Sequence, residues 1–201
     1  TVTATSLTPG NTYYLMIDGF NNDICTYTIA ANSGVNILNI NPTAASICNG
    51  GNVNLTASGG NGVYSWTPPT NLNATTGTTV NASPTTTTTY TVTSTTASGC
   101  PLTDTVKVTV NALPTITTHP SVATQNVCQN DPTTALTVTA SAGSGTISAY
   151  QWYSNSTASY TGGTLIPSAN SSSYTPLSTS IGTTYYYAIV TNSNSCSDTS
   201  N

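Results

Sequence analysis

The 201-residue sequence contains no glutamate and no arginine, and its only formally charged side chains are Lys107 and five aspartates, Asp18, Asp23, Asp104, Asp131 and Asp198. Charged residues make up 3% of the chain, against about 25% in an ordinary soluble domain. The near absence of basic side chains, with a net charge of −4, excludes nucleic acid as a partner, because that partner needs a cationic face. Catalysis needs an acid or base beside a nucleophile or metal. Here the aspartates are scattered, His119 is the single histidine, and no Gly-x-Ser-x-Gly elbow occurs. No catalytic residue is therefore assigned, no enzyme activity is expected and no cofactor is called for. Cys-x-x-Cys spacing is missing as well, and His119 reads as a linker residue beside Pro120, which argues against zinc. No run approaches the roughly 20 apolar residues of a membrane span. Few helix formers are present, so long surface helices are excluded too.

What is abundant is threonine, about a fifth of the chain, followed by serine and asparagine. β-Branched threonine favours strands, and asparagine, serine and glycine favour turns. Disorder would suit so polar a composition, but 12 tyrosines, two tryptophans and a regular apolar alternation argue for packed cores. Val53, Leu55 and Ala57 share one strand face, as do Tyr64 with Trp66, Tyr90 with Val92, and Val106, Val108 with Val110. Turn signals at 59–62, 68–71, 83–84 and 98–99 separate these runs at the short intervals of an antiparallel sandwich. A surface so poor in charge repels its own copies weakly and tolerates self-association.

The pattern repeats. Residues 47–66 (ICNGGNVNLTASGGNGVYSW) and 127–152 (VCQNDPTTALTVTASAGSGTISAYQW) share the order aliphatic, Cys, polar turn, strand ending Thr-Ala-Ser, Gly-rich turn, Tyr-x-Trp. Each then runs to a tyrosine strand and a second cysteine, at 90–100 and 185–196. The expected organisation is one domain over 37–112 and a second over 113–201, joined at Ala-Leu-Pro-Thr 112–115. Trp66, Tyr90, Trp152 and Tyr185 are the expected core aromatics. Residues 10–25 (GNTYYLMIDGFNNDIC) repeat the end of the pattern, so 1–36 reads as the last strands of a partial domain, and 113–201 as a domain lacking its final strand. That offset fits a fragment of a longer polypeptide, or a sandwich whose missing strand comes from another subunit.

Five cysteines in so polar a chain point to an oxidising compartment. The repeat aligns Cys48 with Cys128 and Cys100 with Cys196, from which we expect Cys48–Cys100 and Cys128–Cys196 bridges. Each would contribute about 4 kcal/mol in the chain-entropy model. Cys25 aligns with the second member of a pair and is expected to be unpaired within this sequence. Asp18, Asn21 and Asp23 in DGFNND offer oxygen ligands suited to Ca²⁺, although Asx turns account for the same residues. Tyr153, Tyr160 and Tyr186 are candidate exposed rings for stacking on sugars. Asn54, Asn73, Asn81, Asn155 and Asn170 satisfy Asn-x-Ser/Thr, a match that arises by chance in this composition.

The string over 47–112 is similar, over nearly its full length, to the immunoglobulin-like repeats of very large surface proteins of the Bacteroidetes, the adhesins and gliding-motility-associated secreted proteins. Residues 113–201 resemble a longer, more divergent relative. Residues 7–29 (LTPGNTYYLMIDGFNNDICTYTI) resemble the end of the jelly-roll, pre-peptidase-type domains of the same proteins. The resemblance implies an all-β fold of tandem immunoglobulin-like antiparallel sandwiches, preceded by the end of another β-sandwich or jelly-roll domain. It also implies a location outside the cell or on its surface, export by the type IX pathway, and an O-glycan on Thr105 in Asp104-Thr105-Val106. The expected function is a structural and adhesive module of a surface adhesin or filament. The alternative is an accessory spacer or glycan-binding region of a secreted multidomain hydrolase. Expected partners are neighbouring copies or domains of the same protein, with surface glycans as further candidates.

Overall fold

A computed structural model describes residues 37–97, 99–121 and 123–201. The expected partial domain over 1–36, with Cys25 and the Asp18, Asn21, Asp23 cluster, lies outside the described residues. The rest is all-β, as the alternation and the scarcity of helix formers require. Seven strands build the first sandwich: β1 (Leu38–Asn41), β2 (Ala44–Cys48), β3 (Val53–Gly59), β4 (Ser65–Thr67), β5 (Thr79–Ala82), β6 (Thr88–Thr95) and β7 (Pro101–Asn111). One sheet has the order β1-β3-β5 and the other β2-β7-β6-β4. Between β1 and β2 the chain crosses from one sheet to the other at Asn41-Pro42. There β1 pairs antiparallel with β3, whereas β2 runs parallel to β7 with Cys48 opposite Asn111. An initial strand shared between both sheets closes the sandwich edge as immunoglobulin-like folds do.

The inward face of each strand supplies the first core: Leu38 and Ile40, Leu55 and Ala57, Trp66, Val80 and Ala82, Tyr90 and Val92, Val106 and Val108 are buried. Trp66 is fully enclosed, and its Nε1–H donates to Gly77 O at 3.0 Å, so the largest apolar surface is buried with its polar atom satisfied.

The second sandwich comprises β8 (Thr115–Thr118), β9 (Leu136–Thr137), β10 (Thr139–Ser141), β11 (Ile147–Asn155), β12 (Thr164–Leu165), β13 (Ser173–Tyr174), β14 (Tyr185–Asn192) and β15 (Ser197–Thr199). One sheet is β12-β11-β14-β15, and the facing layer is made of the short pairs β8–β10 and β9–β13. Its core gathers Ile116, Leu136, Val138, Trp152, Ala188 and Val190. Trp152 repeats the arrangement of Trp66, donating from Nε1 to Ser171 O at 2.9 Å. His119 directly follows β8, the first strand of this sandwich, and its Nδ1 accepts the Asn201 amide at 3.0 Å. It is therefore part of the second fold and not of a linker.

A carboxylate latch recurs in both sandwiches. Asp104 lies on the inward edge of β7, where Oδ2 accepts the Ile40 N–H of β1 at 2.9 Å and Oδ1 accepts the Thr105 N–H at 2.8 Å. Asp198 of β15 does the same with Ile116 of β8 at 3.2 Å and with Thr199 at 2.9 Å. Each carboxylate ties the first strand of one sheet to the last strand of the other. Asp104→Ala is expected to cost about 1–3 kcal/mol, because it strands the Ile40 amide in a partly buried site. Asp104→Asn, which keeps an acceptor, should cost less. Denaturant unfolding together with hydrogen exchange at the Ile40 amide checks both.

Candidate functional site

The joint between the sandwiches is where the sequence places most of its unusual chemistry. β7 ends at Asn111, and β8 begins at Thr115. At the end of β2, beside Asn111, Cys48 forms a disulfide with Cys196, which lies in the turn between β14 and β15 of the other sandwich; the Cα atoms are 5.6 Å apart. The expected pairing of Cys48 with Cys100 and of Cys128 with Cys196 is corrected accordingly. The physical reason is strand length. Cys100 immediately precedes Pro101, at the opposite end of the eleven-residue β7 from Asn111, which separates the poles by about 33 Å, whereas a bridge needs Cα atoms within about 7 Å. Cys128 is likewise remote from Cys196. Gln129 Nε2 donates to Thr179 O at 2.8 Å and the Asn130 amide to Ser178 O at 3.0 Å, which holds Cys128 near the loop leading into Tyr185. Cys196 follows the other end of β14.

Asn192 organises the turn that carries Cys196. Its side chain is only 1% exposed. Nδ2 donates to Ala112 O at 3.1 Å and to Ala142 O at 2.9 Å, and Oδ1 accepts the amides of Asn194 at 3.0 Å and Cys196 at 3.1 Å. One amide side chain thus shapes the β14–β15 turn and fastens it to the linker. The Ala112 amide in turn donates to Ser144 Oγ at 2.9 Å. Gly143 is required here: its φ is +68°, and a Cβ at this position would collide with Leu113 O. Next to the bond, Asn111 Nδ2 donates to Ser46 Oγ at 2.7 Å and Asn111 O accepts the Asn49 amide at 2.8 Å. Among the described residues no buried side-chain nitrogen or oxygen lacks a partner. The arrangement fixes one sandwich against the other through a covalent bond and a hydrogen-bonded turn, and it does so without a charged group.

The tyrosine strand is one residue out of phase with the expectation. Tyr185 is 41% exposed, whereas Tyr186 packs on the second core, with its ring 5.7 Å from that of Tyr174. The cysteines give the phase: Tyr90 precedes Cys100 by ten residues, and Tyr186 precedes Cys196 by ten. A slip of one residue exchanges the two faces of a strand. Burial raises the phenol pKa of Tyr90 and of Tyr174. It also raises that of Tyr186, where Tyr174 adds to the effect and a hydrogen bond with Thr184 opposes it. Tyr90 is enclosed in the first core, its hydroxyl donating to Thr70 O at 3.0 Å.

Of the rings considered for sugar stacking, Tyr186 faces inward and Tyr153 lies flat against Tyr187, with centroids 5.1 Å apart and planes 6° from parallel. Tyr160 is 55% exposed. Thr105 points outward beside the Asp104 latch, which explains the Asp-Thr pair structurally without reference to a glycan. Among the described residues there is no group of three or more His, Cys, Asp or Glu side chains that could hold a metal, and no helix long and apolar enough to cross a membrane.

Residues 118–201 match the model of DUF8696, a domain of unknown function. No curated protein shows a significant match. Among solved structures the chain is similar to the fibronectin(III)-like modules of Clostridium thermocellum CbhA, at 16% identity and a TM-score of 0.43, covering 81% of this chain and 91% of that one. It is similar to extracellular domains 3–5 of Drosophila OTK, at 13% identity and a TM-score of 0.45, covering 81% of this chain and 59% of that one. A three-domain I-band fragment of titin is similar at 14% identity and a TM-score of 0.40, with 81% of this chain and 63% of that one covered. The chain thus spans about three fifths of the OTK and titin fragments.

Proposed function

We propose that this chain is a non-catalytic structural segment of an extracellular protein, in which successive immunoglobulin-like sandwiches are locked in a fixed relative orientation. The observation that carries this reading is the Cys48–Cys196 bond across the joint. A bond within one sandwich would stabilise that sandwich alone. A bond between two resists bending and pulling at the linker, which is what a stalk or filament under tension needs. Disulfides persist in oxidising compartments, which supports a location outside the cytosol. Low charge suits close packing with like surfaces. In its finer form the proposal is a stalk or repeat of a surface adhesin or filament, of the type found in the Bacteroidetes proteins that the sequence resembles, with Thr105 accessible to O-glycosylation.

Immunogold labelling of unpermeabilised source cells, with antibody against residues 113–201, is expected to decorate the surface or an extended filament. Label confined to the cytosol overturns the reading. Label that follows a secreted hydrolase into the medium favours an accessory region of that enzyme.

A further inference from the structure

The first sandwich has its outgoing pole covered: Cys48 sits there beside the end of β7, and the β14–β15 turn of the next sandwich is bonded to it. The second sandwich has an equivalent pole. Ile47-Cys48 corresponds to Val127-Cys128 in the repeat, and the hydrogen bonds of Gln129 and Asn130 hold this segment at the Tyr185 end of β14, opposite the joint. Cys128 is exposed. It lines a groove of about 760 Å³ with Val127, Tyr160, Leu177, Ile181 and Tyr185. Leu177 is 74% exposed and Ile181 90%. A cluster of apolar side chains this open marks an interaction surface.

We propose that this pole is the docking site for a further sandwich of the same kind, whose β14–β15-like turn covers the groove and whose cysteine, in the place of Cys196, bonds to Cys128. The occupant is identified by the covered pole of the first sandwich, where a turn of that description already sits. The bond forms when two thiols give up two protons and two electrons to a small disulfide, which is reduced to two thiols, leaving one new Sγ–Sγ bond. This inference rests on the reading of the sandwiches as structural repeats and extends it to a polarity: the first cysteine of each sandwich bonds to the second cysteine of the next.

The test extends the full chain in register. Residues 1–199 are followed by a second copy of residues 106–201, joined where Asp104-Thr105 and Asp198-Thr199 coincide in the repeat. The protein is refolded with oxidised and reduced glutathione and mapped by mass spectrometry without reduction. Cys128 of the first copy is expected to be linked to Cys196 of the second, with Cys48–Cys196 retained within the first. Cys128→Ser should leave the second Cys196 open to alkylation. Leu177→Asn with Ile181→Asn should slow bridging about tenfold or more, since each removes aliphatic surface that docking would bury.

If Cys128 stays alkylatable, or carries only glutathione, while the Cys48–Cys196 bond is present, the docking proposal fails and the structural-repeat reading stands. If the Cys48–Cys196 bond itself does not form, the failure belongs to the structural-repeat reading.

Discussion

Cys48→Ala is expected to convert a single cooperative unfolding transition into two and to lower stability by about 5 kcal/mol. The magnitude comes from loop closure: the bond spans 148 residues, and the chain-entropy model gives about 5 kcal/mol for a loop of that size, the top of the usual range. The splitting comes from where the bond lies. Without it the sandwiches are joined by the linker, which the Asn192 donation to Ala112 O and the Ala112–Ser144 bond fasten to the second sandwich. Each of these contributes only about 1 kcal/mol net. The bond also keeps the partners at high effective concentration, so removing it weakens every contact that depends on proximity. Calorimetry of the native and Cys48→Ala proteins reads the number of transitions, and small-angle scattering reads the loss of a fixed orientation. A single transition with an unchanged midpoint would mean that the bond does not couple the two sandwiches.

The parts of this architecture that were legible in the sequence are those set by a local period. Leu55 and Ala57, Trp66, Tyr90 and Val92, and Val106 and Val108 alternate with polar residues and are buried in the first core, because strand geometry fixes the face once the phase is known. Phase itself is fragile. Three consecutive tyrosines at 185–187 carry no alternation, and only counting back from Cys196 selects Tyr186 as the ring that packs on the second core, Tyr187 being buried against Tyr153 instead.

The bridge was hidden for a different reason. Aligning Cys48 with Cys128 and Cys100 with Cys196 gives equivalence and not adjacency: equivalent residues of tandem copies occupy the same pole of each, so the close pair at a joint is one residue of each kind. The signal was present in the length of the unbroken strand after Cys100, which carries the chain away from that cysteine to the linker, where Cys48 lies. In the sequence Asp104 and Asp198 are two of five scattered aspartates. Their shared role appears only when β1 and β8 are seen beside β7 and β15, a long-range relation with no local pattern.

Asn192→Leu is expected to cost about 3 kcal/mol or more and to slow formation of the Cys48–Cys196 bond. Leucine has the branching of asparagine but makes none of its four hydrogen bonds, so the carbonyls of Ala112 and Ala142 and the amides of Asn194 and Cys196 lose their partner together. Each buried group left unsatisfied costs about 1–3 kcal/mol, less where water can enter at the rim of the joint.

Asn192→Asp separates the two halves of the network. The carboxylate still accepts the two amides, but it faces the Ala112 and Ala142 carbonyl oxygens with no hydrogen to donate, unless it is protonated. Burial and the opposing carbonyls raise the carboxyl pKa in the folded state of that variant. A raised folded-state pKa means that the variant is most stable below the unfolded pKa of about 3.9 and loses stability as pH rises through the folded value. The penalty relative to the parent should therefore be larger at neutral pH than in mild acid, a dependence that the uncharged Asn192→Leu variant will not share. Denaturant midpoints across that range, and the rate of bond formation in a glutathione buffer, measure both effects. If Asn192→Leu left both unchanged, the disulfide alone would hold the sandwiches together, and the joint would be a tether with no preferred angle.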